Sequence, residues 1–103
     1  MKLGKVIGRV TLSVACPAFK GARWLIINPS DRKTIKAISD DMASSALSPG
    51  PSPVVYDDLG AGMGDIIGYV EGAEAAAPFE NPTPVDAINT AIIDQVFYKP
   101  FES

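Results

Sequence analysis

The apolar residues of this 103-residue chain fall in short runs, each closed by glycine, proline or asparagine, and that spacing is what most limits its fold. "GKVIGRVTLSV", "ARWLIIN" before Pro29, "VVYD", "DIIGYVEG" and "AIIDQVFY" each have the length and the β-branched or aromatic content of a strand. No such run alternates with a long helical pattern, which argues against a sheet built from strand-helix-strand units. In the first run Val6, Val10, Leu12 and Val14 share a face with Gly4 and Gly8, while Lys5, Arg9, Thr11 and Ser13 take the other. Glycine weakens a strand, so Gly4 and Gly8 mark bends or close approach of another backbone. "ARWLIIN" is apolar on both faces and reads as a strand covered on both sides. Val54 to Asp57 and Asp65 to Gly72 read as partners across a glycine-rich turn. Five or six short strands with one or two helical turns amount to a mainly β fold, a small antiparallel barrel.

The helical pieces are read from their ends. Ser39 as N-cap, with Asp40 and Asp41 in the first turn, predicts a short helix to about Leu47, after which "SPGPSP" stops it. "DRKTIKAIS" before it reads as a possible short strand, and the whole stretch around 30–53 as an exposed loop or short helix. Thr83 as N-cap and Pro84 at the first helical position predict a second brief helix, and Ala91 to Tyr98 a final strand.

A chain of this length holds one domain, residues 1–103, with a modest core. Cys16 is its single cysteine, which excludes an intrachain disulfide and suits a reducing compartment such as the cytoplasm. Its place before Pro17 reads as a small buried thiol. Lys2, Lys5 and Arg9 interrupt the N-terminal stretch where a signal peptide is apolar, and no run approaches the length of a membrane span, so a soluble, unprocessed chain is expected. A formal charge of -3 argues against a general nucleic-acid binder.

"DDLGAGMGDIIGYV" invites several chemical readings. A P-loop ends in lysine and a hydroxyl residue, but Gly64 is followed by Asp65 and Ile66. A dinucleotide fingerprint precedes a helix, whereas "GAGMGD" precedes a strand-like run. A calcium loop counted from Asp57 places Leu59, Ala61 and Gly68 at ligand positions. A glycine turn with positive φ and room for a neighbouring backbone fits best. The chain contains no histidine to act as a base for Cys16 or a serine. The adjacent carboxylates Asp40/Asp41 and Asp57/Asp58 read as solvated pairs. Trp24, Tyr56, Tyr69, Phe79, Phe97, Tyr98 and Phe101 suit either core packing or, on an OB-like face, stacking on bases.

"MKLGKVIGRV", "DDLGAGMGDIIGYVEG" and "PVDAINTAIIDQV" resemble, in order and spacing, three blocks of the EutN/CcmL family of bacterial microcompartment vertex proteins. The resemblance implies a five-stranded OB-like barrel, forming homopentamers that cap the vertices of a polyhedral shell whose facets are hexameric shell proteins. It implies a structural part in the cytoplasm, with no catalysis, cofactor, metal, nucleic acid or membrane. Gly60, Ala61, Gly62, Met63, Gly64 and Asp65 then match a loop at the subunit contacts and central opening, and Pro84, Val85 and Asp86 a turn used in subunit packing. Asp86 as a simple cap of local amides is an equal alternative. "GAEAAAPFENPTP" lacks the serine- and arginine-containing stretch common in the family, and the 30–53 region is longer than the family's usual connection. An OB-like nucleic-acid or ligand-binding module is the alternative function.

Overall fold

The computed structural model describes residues 1–13, 15–19, 21–80 and 85–99; Val14, Thr83, Pro84 and Phe101 lie outside the described residues. Strand alternation fills the interior of a closed barrel. β1 (Lys2–Val10) pairs antiparallel with β2 (Arg23–Pro29) and, over Lys2 to Lys5, with β4 (Ile66–Glu71). β3 (Val54–Asp57) continues from β2, and β5 (Ala87–Ile93) lies antiparallel to β4. A parallel pairing of Tyr56 with Ile88 closes the ring in the order β1-β2-β3-β5-β4.

The small OB-like barrel is therefore present, with one parallel seam that an all-antiparallel expectation lacks. β3 and β4 do not form the expected hairpin, because each pairs elsewhere and the glycine-rich stretch joins strands that are not neighbours. The final strand begins at Ala87, so the run after Val85 is strand rather than a continuing helix.

Inside lie Val6, Leu25, Ile27, Val55, Ala61, Ile67, Tyr69 and Ala87. Each large aliphatic among them contributes about 1.5–3 kcal/mol by leaving water. The β1–β2 register shifts between Val6 and Gly8, a bulge that turns Ile7 outward, and Leu12 emerges exposed beyond the strand instead of continuing its inner face. Gly4 is slim for a reason: a Cβ there would run into the Ile27 side chain and lie 2.9 Å from the Asn28 carbonyl.

The outward residues of β2, β3 and β5 explain why "ARWLIIN" is apolar on both faces. Trp24 and Ile88 are buried outside the barrel with Ala75 of α2 (Ala73–Ala76) and Val85. Phe19, at the end of a 3-10 turn (Pro17–Phe19), Trp24, Tyr56 and Phe79 form an edge-to-face chain with centroid separations of 4.8, 5.5 and 5.2 Å. Cys16, expected to be a buried thiol, is exposed, since the chain leaves the barrel after Val10 before it.

"DRKTIKAIS" is helical, not a strand: α1 (Arg32–Asp40) is capped by Asp31, whose carboxylate accepts from the Thr34 amide at 2.9 Å while Thr34 Oγ1 accepts from the Asp31 amide at 2.8 Å. Ser39 lies in its last turn rather than at an N-terminus. Thr34 and Ile38, four residues apart, are its buried side. Beyond it the chain is held against the barrel by Lys5 Nζ, which donates to the Met42 and Ser44 carbonyls, and by Asn28 Nδ2, which donates to the Ala46 carbonyl.

Candidate functional site

Asp57 ends β3 with its side chain inside the barrel, where a bare carboxylate is strongly disfavoured. It is satisfied on every side. Oδ1 accepts from the Leu59 amide at 3.0 Å and from Asn89 Nδ2 at 2.9 Å; Oδ2 accepts from the Gly60 and Ala61 amides at 3.2 and 3.1 Å. Arg23 Nε lies 3.4 Å from the same Oδ2, and Arg23 Nη2 donates to the Ala61 carbonyl at 2.8 Å. The carboxylate thus gathers three successive loop amides, as an aspartate before a turn does, and the guanidinium closes the loop from the other side.

The loop continues under a second aspartate. Asp65 Oδ2 accepts from the Gly62 amide at 2.8 Å, and the Asp65 amide donates to the Gly62 carbonyl at 3.1 Å. Val6 fastens the far end: its amide donates to the Asp65 carbonyl at 2.8 Å and its carbonyl accepts from the Gly64 amide at 2.9 Å. Gly60 and Gly64 both have φ of +86°, where a side chain would strain the backbone. Ala61 points into the barrel and is fully buried, whereas Gly60, Gly62, Met63 and Gly64 face outward, Met63 with 68% of its surface exposed. Asp65 is half-buried. Gly62 does not have positive φ, and a Cβ on it would meet only Asp65 Oδ2 at 3.9 Å.

The other block sits elsewhere. Val85 is buried against the outer aromatic cluster, and Asp86 is exposed, its carbonyl accepting from the Gly72 amide at 2.7 Å. No Asp86 side-chain cap is formed among the described residues. The two blocks meet indirectly, through the Asn89 to Asp57 hydrogen bond and through Ala61 and Ala87 in one core.

Sequence reasoning missed Arg9, Arg23 and Asn89, and it read Asp57 with Asp58 as a solvated pair, whereas only Asp58 is exposed and Asp57 is buried because its carboxylate holds the loop amides. The Asp57-x-x-Gly60 spacing was the available signal for the turn and its local amides, but the side-chain partners of Asp57, Arg23 of β2 and Asn89 of β5, have no local signature. Arg9, Arg23, Gly62 and Met63 help line a cavity of about 260 Å³ at this end of the barrel. Among the described residues no three His, Cys, Asp or Glu side chains gather as metal ligands. The chemistry of the site is that of shape: buried charge spent on fixing a backbone, with small or flexible groups presented outward.

The family profile described as "Ethanolamine utilisation protein EutN/carboxysome" matches residues 1–94. GrpN, a pentameric microcompartment shell protein from Rhodospirillum rubrum, is similar with a TM-score of 0.73 at 27% identity, over 97% of this chain and 100% of that one. CcmL of Gloeobacter violaceus is similar with a TM-score of 0.75 at 28% identity, over 95% and 90%. EutN of Escherichia coli shares the fold, with a TM-score of 0.71 at 24% identity over 95% and 90%. Curated protein sequences give no match.

Proposed function

The chain belongs to the EutN/carboxysome family, and from that premise we propose that it is a structural shell protein whose homopentamers close the vertices of a polyhedral bacterial microcompartment. The observation that carries this reading is the likeness, over 97% of this chain and 100% of the other at 27% identity, to a pentameric microcompartment shell protein. Hexameric shell proteins of the same compartment are its further partners, and the compartment shell in the cytoplasm is its location. The outward side of the glycine loop, Gly60 and Gly62 to Gly64, belongs at or near the subunit contacts and the central opening, and the block Pro84, Val85 and Asp86 supports subunit packing. Asp57 and Arg23 fix the loop before any neighbour arrives, so assembly does not have to order it.

The reading of the barrel as a nucleic-acid module has the aromatic residues against it. Phe19, Trp24, Tyr56 and Phe79 pack on one another outside the barrel and Tyr69 is inside it, and although Phe97 is 84% exposed it lies beyond the end of β5, so among the described residues no row of open rings faces bases. Native mass spectrometry or light scattering across a range of concentrations tests the proposal. A stable species of five subunit masses that binds hexameric tiles is the expected result; a persistent monomer or dimer overturns it.

A further inference from the structure

Charge divides sharply along this chain. Lys2, Lys5, Arg9, Lys20 and Arg23 all precede Asp31, and the 12 carboxylates all lie from Asp31 onward. Folding engages three of the first group, Lys2 and Arg23 with carboxylates and Lys5 with backbone carbonyls. Lys2 pairs with Glu71 at 2.8 Å, Lys5 donates to the Met42 and Ser44 carbonyls, and Arg23 is held by Asp57 and the Ala61 carbonyl. Arg9 is exposed and makes no ion pair among the described residues.

Arg9 stands on the wall between the 260 Å³ cavity beside the glycine loop and a larger cleft of about 710 Å³ under the β1–β2 connection. Among its described lining residues that cleft holds Arg9 and Arg23 and no carboxylate, with Leu12 at its rim 41% exposed. The loop's other flank is the reverse in sign. Gly64 and Asp65 border a cleft of about 470 Å³ between the start of β4 and the end of β5, whose described lining includes Asp65, Asp94 and Ile92, 44% exposed, and no lysine or arginine, Lys5 reaching only the carbonyl of Met42 on its wall.

We propose that these flanks are the two unlike halves of one subunit contact, in which Arg9 and Leu12 of one copy meet Asp94 and Ile92 of the next. The inference rests on the homopentamer proposed above and says which surfaces make it. A ring closed by one repeated contact requires two different, mutually complementary patches on each subunit. Opposite charges make the two flanks complementary to each other, and because they lie on different sides of one loop, a head-to-tail contact can use each flank with a different neighbour, Arg9 on one side of every copy and Asp94 on the other. The exposed Leu12 and Ile92 give the contact apolar area that charge alone does not provide.

The test is charge reversal read by native mass. Arg9→Glu and Asp94→Lys are each expected to raise the concentration at which the ring half-dissociates by about tenfold or more, and the double variant to restore it toward wild type. Wild-type rings are also expected to weaken at about 1 M salt, where the screening length falls to ~3 Å. Single variants that remain pentameric, a double variant that fails to recover, or a ring indifferent to salt overturns the contact while leaving the homopentamer standing. A wild-type chain that forms no pentamer at any concentration overturns the homopentamer and this contact with it.

Discussion

Asp57 is the residue on which the loop depends most. Replacing it by asparagine keeps the shape but removes the charge that answers Arg23 and places an N–H₂ where an acceptor is needed. Loss of one partner of a buried ion pair typically costs about 3–5 kcal/mol; Arg23 is 45% exposed and recovers water, so Asp57→Asn is expected near the lower end, about 3 kcal/mol, by urea denaturation. The glycines of the loop divide by mechanism. At Gly60 and Gly64 the positive φ makes alanine strained by about 1–2 kcal/mol in the subunit itself. Gly62 has ordinary φ and open space around it, so Gly62→Leu is expected to leave the dissociated subunit within about 0.5 kcal/mol of wild type. Its effect belongs to assembly. Native mass alongside denaturation separates the two, and an unchanged pentamer in Gly62→Leu would remove the loop from the contact. Gly4 and Gly68 give a similar contrast: a Cβ on Gly4 meets Ile27 and backbone, whereas on Gly68 it meets the flexible end of Met1. Gly4→Ala is expected to cost about 2–3 kcal/mol and Gly68→Ala less than about 1 in the same assay.

At the scale of elements, α1 stands on its cap and on the C-terminal segment. Ser39 Oγ accepts from the Tyr98 amide at 2.8 Å and donates to the Tyr98 carbonyl at 3.3 Å, tying the last turn of the helix to the chain beyond β5. The Thr34 amide, donating to the Asp31 carboxylate, holds that group below its ordinary value. A carboxyl whose folded pKa is depressed stabilises the folded state above its unfolded pKa, near 4, and loses that contribution as pH falls through the lower folded value. Hydrogen-exchange protection of Ile35 to Ser39 is therefore expected to fall on acidification through that window and to be low at neutral pH in Asp31→Ala, with the barrel strands unaffected; equal protection in both chains would show that the cap does not hold the helix. The capping box was present in "DRKT", yet Thr34, Ile35 and Ile38 also suit a strand, and local pattern alone does not choose between them. Four of the five strand segments were legible because alternation and punctuation are local; the last, expected over Ala91 to Tyr98, is β5 at Ala87–Ile93, shifted because its apolar run is read against barrel partners and not by local pattern alone. Their partners were not: the parallel seam between Tyr56 and Ile88 and the absence of a β3–β4 hairpin follow from barrel closure, a property of the whole chain. The same division holds at the site, where the glycines were visible in the sequence and the Arg23–Asp57–Asn89 bracket that positions them was not.

At the scale of the molecule, a subunit this small leaves a good part of its apolar surface in water. Ile7, Leu12, Val54, Leu59, Met63 and Ile92 are each at least 39% exposed, and a barrel of five short strands has little interior in reserve. Burial between copies is then part of what keeps the fold intact, and stability becomes a function of concentration. If unfolding and dissociation of a pentamer are coupled, each tenfold rise in subunit concentration adds four-fifths of RT ln 10, about 1.1 kcal/mol per subunit. For a domain near 100 residues that corresponds to about 5 °C in Tm. Scanning calorimetry over a hundredfold concentration range is expected to show Tm climbing by about 10 °C, and Arg9→Glu to flatten that slope by populating free subunits before they melt. A Tm independent of concentration while the ring persists at low temperature would mean that dissociation precedes unfolding, and that the barrel, held by its own interior and the Asp57 bracket, stands without its neighbours.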